Sequence, residues 1–335
     1  MKKQQRLSGN LIKLIMIFSV FSFVLIIISA VTVTFRVDGL TWKNMFQLND
    51  SVLSYTVWSI RMPRLLLAVI LGASLATAGC LLQAMTRNSL SDPEIIGINQ
   101  GASCFAVIAI MLFEGRGNST VIMIGALIGA SVVAVLIFLI SRYSGKDFSR
   151  LLLAGVAISA FMGAFTTSII LLYETQLSEV LYWMAGKLSG AEWLDNQLAW
   201  AVNIPAILFA FLLANSVNTL VQGEEIALGL GVKVVRTQQL LGLLIIIMTG
   251  SAVAVAGPIG FIGLMVPHMS KRIVGANHRI VLPLAALMGA NLLAAADFAA
   301  QWAFYPTEIP VGIVTAFLGV PFFIYLLRRS GGKIR

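Results

Sequence analysis

Residues 237–270 form an unbroken run of 34 without a single Asp, Glu, Lys or Arg. One helical crossing of a bilayer takes about 20 residues, so this run is too long for a single span. Its middle, Gly257-Pro-Ile-Gly-Phe-Ile-Gly-Leu-Met-Val-Pro-His268, carries three glycines, two prolines and a histidine. Proline removes a backbone donor, and a membrane tolerates that gap only where protein or water satisfies the backbone again. The run therefore reads as two spans broken at Gly257-Pro258, part of a larger assembly of helices rather than a simple anchor.

Further uncharged runs cover residues 14–34, 65–85, 95–113, 119–141, 151–173, 196–222, 280–296 and 309–327, in a chain that is 59% apolar and 11% charged. This is the pattern of an all-α polytopic membrane protein, and with the long run divided it gives ten transmembrane helices. Charge supports that count. With ten spans both termini are cytoplasmic, and 17 of the 23 Lys and Arg fall inside, leaving Arg36, Lys43, Arg61, Arg64, Arg116 and Lys187 outside. A nine-span arrangement would place the basic stretch from Arg328 to Arg335 outside. The expectation is one integral-membrane domain over residues 1–335, in a multi-pass arrangement in the cell membrane. The first run exceeds the apolar core of a secretory signal and reads as an uncleaved first helix. Thr77-Ala78-Gly79-Cys80 resembles a lipoprotein cleavage site but lies in the second span.

Several chemistries are excluded or unsupported. Cys80 and Cys104 sit in different spans without a Cys-x-x-Cys pair or a Cys/His cluster, so they read as small packing residues, and no metal or other cofactor is expected. The net charge of +9 is concentrated in short loops beside spans, where topology and anionic lipid account for it and nucleic acid is not implied. No Ser/His/Asp set or paired carboxylate is placed for catalysis, so the chain is not read as an enzyme. An ion-coupled secondary transporter, the alternative from another class, needs ionisable groups at mid-depth. Asp297 is the one acidic residue expected near a span interior, at the end of the ninth span, where a structural partner explains it. His268 reads as a hydrogen-bonded packing residue.

Small residues recur along the fifth span at Gly155, Ser159, Gly163 and Thr167. That spacing suits close helix packing, and it equally suits a weakly polar wall that a bulky solute slides along. Both readings can hold on different faces of the helix. Energy must then come from outside the pathway. The chain lacks the Gly-x-x-x-x-Gly-Lys-Ser/Thr loop, since Gly145-Lys146 and Gly186-Lys187 continue with Asp and Leu, so an ATPase would be a separate subunit. Residues 223–236 form a longer cytoplasmic loop whose start, Gly223-Glu-Glu-Ile-Ala-Leu-Gly-Leu-Gly-Val-Lys233, fits a short docking helix with acidic residues first and a lysine last.

Motifs in series now point to a family. Arg61-Met-Pro-Arg64, Gly72…Gly79…Leu82-Gln83…Thr86-Arg-Asn-Ser-Leu90, Asp92-Pro93…Gly97, Arg150-Leu-Leu-Leu-Ala-Gly155, Trp183…Gly186, Glu225…Ala227…Leu230-Gly-Val232, the 257–268 stretch, His278-Arg279…Leu282-Pro283, Glu308-Ile-Pro-Val-Gly-Ile-Val-Thr315 and Gly319…Pro321-Phe322 follow in order. The chain resembles the permease subunits of type II ATP-binding-cassette importers, which take up ferric siderophores, haem and vitamin B12. The resemblance implies a second permease subunit, either another copy or a related chain, two ATP-binding subunits, and an extracytoplasmic substrate-binding protein. It implies a cytoplasmic gate at Asn88, Ser89, Leu90, Phe148 and Ser149, and ATPase coupling through Glu224, Glu225, Ala227, Leu230 and Gly231. Arg61 and Arg64 would dock the binding protein. Where some relatives carry an outside arginine after the ninth-span Asp, this chain has Gln301. A ferric hydroxamate siderophore is the leading expectation for the cargo, with haem or a corrinoid as alternatives.

Overall fold

In a computed structural model, residues 2–36, 52–94, 97–113, 119–144, 148–172 and 177–331 are described. Their regular secondary structure is all helical, and no strand occurs among them. In chain order the helices are α1 (Lys2–Thr34), α2 (Val52–Thr86), α3 (Ile98–Leu112), α4 (Ser119–Ser144), α5 (Phe148–Leu172), α6 (Leu177–Met184), α7 (Trp193–Leu212), α8 (Ala214–Gln222), α9 (Glu224–Gly229), α10 (Val234–Ala256), α11 (Ile262–Val274), α12 (His278–Trp302) and α13 (Val311–Gly331). Seven are long and apolar enough to cross a membrane, and α7 with α8, bent by 55°, makes an eighth. The outside of the bundle is apolar: Leu11, Ile12, Phe23 and Ile26 of α1 and Phe317 of α13 are all exposed.

Helix α2 is the hub, packed against α12, α10, α11 and α7. Two glycine contacts explain how the backbones come so close. A Cβ on Gly72 would overlap the Gly289 carbonyl of α12, and one on Gly79 would overlap Gly263 of α11. Without side chains there, van der Waals contact and not hydrophobic transfer holds the pair, as expected in lipid.

α2 starts earlier than the uncharged run 65–85 suggested, because its first turns contain Arg61 and Arg64. Residues Thr56–Arg61 are wound as a π-helix. In that geometry Pro63 would bond the Trp58 carbonyl, but proline has no N–H. The Trp193 indole N–H takes that carbonyl instead at 2.9 Å, tying α7 to α2.

The expected break at Gly257-Pro258 is present. α10 ends at Ala256 and α11 starts at Ile262, with Gly257 at φ 69 and Phe261 at φ 67. The end of α6 and the segment after it cover this break. Lys187 N–H donates to the Ala256 carbonyl at 2.8 Å, and the Trp183 carbonyl fills the space a Cβ on Gly257 would need. This is how the backbone left open by Gly-Pro is satisfied by protein.

Candidate functional site

The segment after α2 does not stay at the surface. Arg87 ends the helix in the left-handed region, its N–H reaching Ala84 and Gln83 carbonyls, and turns the chain. The Asn88 side chain then accepts the Leu90 N–H at 2.8 Å, and the Thr86 and Ser91 hydroxyls meet at 2.7 Å. From there the chain runs back into the bundle. Gly263 packs on Leu75 and Gly79, which stand roughly 16 and 10 Å back from Thr86 at about 1.5 Å rise per residue. A Cβ on Gly263 would lie 3.0 Å from Asp92 Oδ2, so Asp92 is at that depth.

The expectation that Asp297 is the only acidic group near a span interior is therefore corrected: Asp92 and Glu94 are inside as well. Asp92 is buried, and its Oδ1 accepts the Glu94 N–H at 2.8 Å. The Glu94 carboxylate reaches the backbone just before α11, where it faces Phe261 and occupies the space a Cβ on Gly260 would need. Both carboxylates thus face the first turn of α11, where free N–H groups and the helix dipole favour negative charge. No lysine or arginine pairs with either among the described residues. Phe261 in turn lies on Gly319 of α13. Asp92-Pro93 was visible as a motif; its depth was not, because a chain scanned for uncharged runs places every charge outside them.

Of the gate residues expected, Asn88, Ser89 and Leu90 form this turn, with Ser89 exposed and Asn88 and Leu90 half-buried. Phe148 and Ser149 stand in the first turn of α5, and their side chains lie outside the described residues. The contact the structure does make is one step on. A Cβ on Gly97 would meet Ser159 Oγ at 2.7 Å and the Gly155 carbonyl at 3.2 Å, and one on Gly163 would lie 3.8 Å from Gln100 Oε1. The small-residue stripe of α5 therefore packs against the start of α3 through Gly155, Ser159 and Gly163. Thr167 is exposed, bonded to its own helix at the Gly163 carbonyl. Beside the stripe, α5 turns Leu153, Val156, Phe161 and Phe165 outward.

The loop segment expected to couple does contain a helix, α9. Ala227 is buried beneath it, while Glu225, Ile226, Leu228 and Leu230 project outward and Gly231 turns the chain at φ 77. Glu224 makes two contacts inward, to Arg87 at 3.7 Å and from Gln238 at 3.4 Å.

In the first half of α2 the two arginines expected to dock a partner have internal ones. Arg64 is 8% exposed. Its Nε and Nη2 donate to Asp297 at 2.9 to 3.0 Å, and its Nη1 lies 2.6 Å from Glu308. Gln301 completes the set by donating to Asp297 Oδ2 at 2.9 Å. Asp297 thus has the structural partner anticipated for it. Arg61 is half-buried and donates to the Thr32, Val33 and Phe35 carbonyls at the end of α1. Enclosed by two carboxylates, Arg64 ties α2 to α12 and to the segment leading into α13.

A family model described as the FecCD transport family matches residues 16–329. The chain is 41% identical over 288 residues to the Fe(3+)-citrate import system permease protein YfmD of Bacillus subtilis (strain 168), covering 86% of each. It is 39% identical over 299 residues to the hemin transport system permease protein HmuU of Yersinia pestis, covering 87% of this chain and 89% of that one. Among solved structures, an inward-facing metal-chelate type ABC transporter superposes with a TM-score of 0.80 at 27% identity, over 94% of this chain and 99% of that one.

Proposed function

We propose, from the premise that the chain belongs to the FecCD transport family, that this permease of a type II ATP-binding-cassette importer moves a ferric hydroxamate siderophore. It is a multi-pass cell-membrane protein, and its relatives are named as permeases for ferric citrate, ferric hydroxamate, haem and vitamin B12. The observation that carries the cargo is the outward face of α5. From Leu153 to Leu172 it contains no charged residue, and Leu153, Val156, Phe161 and Phe165 are exposed. A ferric trihydroxamate is neutral overall and presents a mixed apolar surface. A ferric dicitrate is an anion, and such a wall offers it no counter-charge in a low-dielectric pathway.

In this reading α9 is the cytoplasmic coupling element that receives one of two separate ATP-binding subunits, through the exposed Ile226, Leu228 and Leu230 around Glu225 and Gly231. The 88–90 turn and the start of α5 at Phe148 and Ser149 form the cytoplasmic gate of a pathway built with a second permease. The Arg61 and Arg64 region faces outward, where the substrate-binding protein docks against these two arginines. Ten crossings with cytoplasmic termini follow if α3 and α11, of 15 and 13 residues, each complete a span with the residues preceding it.

The test is iron-55 uptake into proteoliposomes holding the assembled importer and ATP, with ferric hydroxamate, ferric dicitrate and haem supplied on the cognate binding protein. Hydroxamate should be taken up fastest. Faster dicitrate or haem uptake reassigns the cargo, and uptake that follows an ion gradient with a disabled ATPase overturns the importer reading.

A further inference from the structure

The turn that follows α2 is tied at both ends. At its start, Arg87 Nη2 lies 3.7 Å from Glu224 Oε1 on α9. Gln238 of α10 donates to the same oxygen at 3.4 Å, so the first residue of α9 is held between the end of α2 and the start of α10. At its far end, the Glu94 carboxylate fills the space a Cβ on Gly260 would need, just before α11. Between them the turn is braced internally: Asn88 N–H donates to Gln83 carbonyl at 3.2 Å, Ser91 N–H to Asn88 carbonyl at 3.3 Å, and Leu90 N–H to the Asn88 side chain. A segment braced in this way shifts as a unit when one end is pulled.

Arg87 is also where the chain is poised. It holds φ 51 and ψ 29, the left-handed conformation that ends a helix and that is less common for a residue with a Cβ than for glycine. It stands immediately before Asn88, so a rotation there redirects the whole turn. We infer that the Arg87–Glu224 pair is the positioning link through which α9 sets the place of the 88–94 segment. This rests on the reading of α9 as the ATPase-docking element. Both side chains are partly in water, at 41% and 44% exposure. An ion pair so exposed is weak, and weakness suits a contact made and released in every cycle.

Two measurements separate this inference from the function it rests on. The first uses the permease alone in detergent, with no cargo. Hydrogen exchange of residues 88–94 should quicken about two- to fivefold in Arg87→Gln, the range an exposed pair spans, while Arg87→Lys stays near wild type and the swap Arg87→Glu with Glu224→Arg returns most of the change. Equal exchange in wild type and Arg87→Gln overturns the tie. The second uses the assembled importer. Arg87→Gln should bind the ATP-binding subunit with unchanged affinity yet move about two- to fivefold less chelate per ATP hydrolysed, with recovery in Arg87→Lys. An unchanged ratio overturns the positioning role. Wild-type importer that moves no chelate overturns the function reading instead, and the exchange result stands apart from it.

Discussion

Helix α2 is tied by an arginine against carboxylate in its first half, at Arg64, and again just past its last residue, at Arg87, and the two pairs differ in how much water reaches them. In the first, Arg64 forks onto Asp297, which is 1% exposed, with Glu308 and Gln301 completing the shell. In the second, Arg87 meets Glu224 at 3.7 Å with both side chains over 40% exposed. The first pair is bidentate and dry, so its Coulomb attraction is strong and its desolvation cost is sunk in the fold. The second is loose and screened. One pair is built to hold α2, α12 and the lead into α13 together; the other leaves a turn free to answer its neighbours.

The sharpest way to break this contrast is Asp297→Ala. It strands the buried Arg64 guanidinium with Glu308 alone, and removing one member of a buried pair costs about 3–5 kcal/mol. The denaturation midpoint of the detergent-solubilised protein should fall accordingly. Arg64→Met with Asp297→Leu should regain most of it, since an apolar pair of similar volume replaces a buried ion pair at little cost. A loss below about 1 kcal/mol in the single variant would mean that water reaches Arg64 and that the two pairs are alike.

A second comparison sets the packed centre against the same loose end. Gly72→Ala puts a Cβ into the Gly289 backbone, with Leu293 Cβ at 2.9 Å, so α2 and α12 must separate. Such overpacking costs about 1–3 kcal/mol. Gly229→Ala, on α9 with nothing within 4 Å of the new Cβ, should change stability by less than about 0.5 kcal/mol. Equal costs at both positions would remove the packing argument.

The sequence made the broken span legible because Gly257-Pro258 interrupts an uncharged run too long for one crossing, and α9 because a loop longer than its connection needs carried helix signals. The depth of Asp92 and Glu94 was hidden. An acidic residue beside a proline looks like a solvated loop, and only the contact of Gly263 with α2 shows the chain doubling back. The Arg64 cluster was hidden for a related reason: its members are 233 and 244 residues apart in sequence, and each arginine looked like a surface charge ending a span. The stripe at Gly155, Ser159 and Gly163 was read in two ways from spacing alone, and Gly97 supplies the packing partner that spacing could not name.

The smallest effect expected is also the most specific. Arg87→Gln removes an exposed pair, so global stability should fall by no more than about 1 kcal/mol. What distinguishes the two pairs is then their response to salt. Raising ionic strength from about 0.1 to 1 M shortens the screening length from about 10 to 3 Å. That should speed exchange of residues 88–94 in the wild type toward the rate of Arg87→Gln, because the exposed pair is already loosened by ions. The penalty of Asp297→Ala should stay constant over the same range, since ions do not enter a pair buried on both sides. If salt shifts the Asp297 penalty and leaves the 88–94 segment untouched, the assignment of a rigid and a responsive pair is reversed.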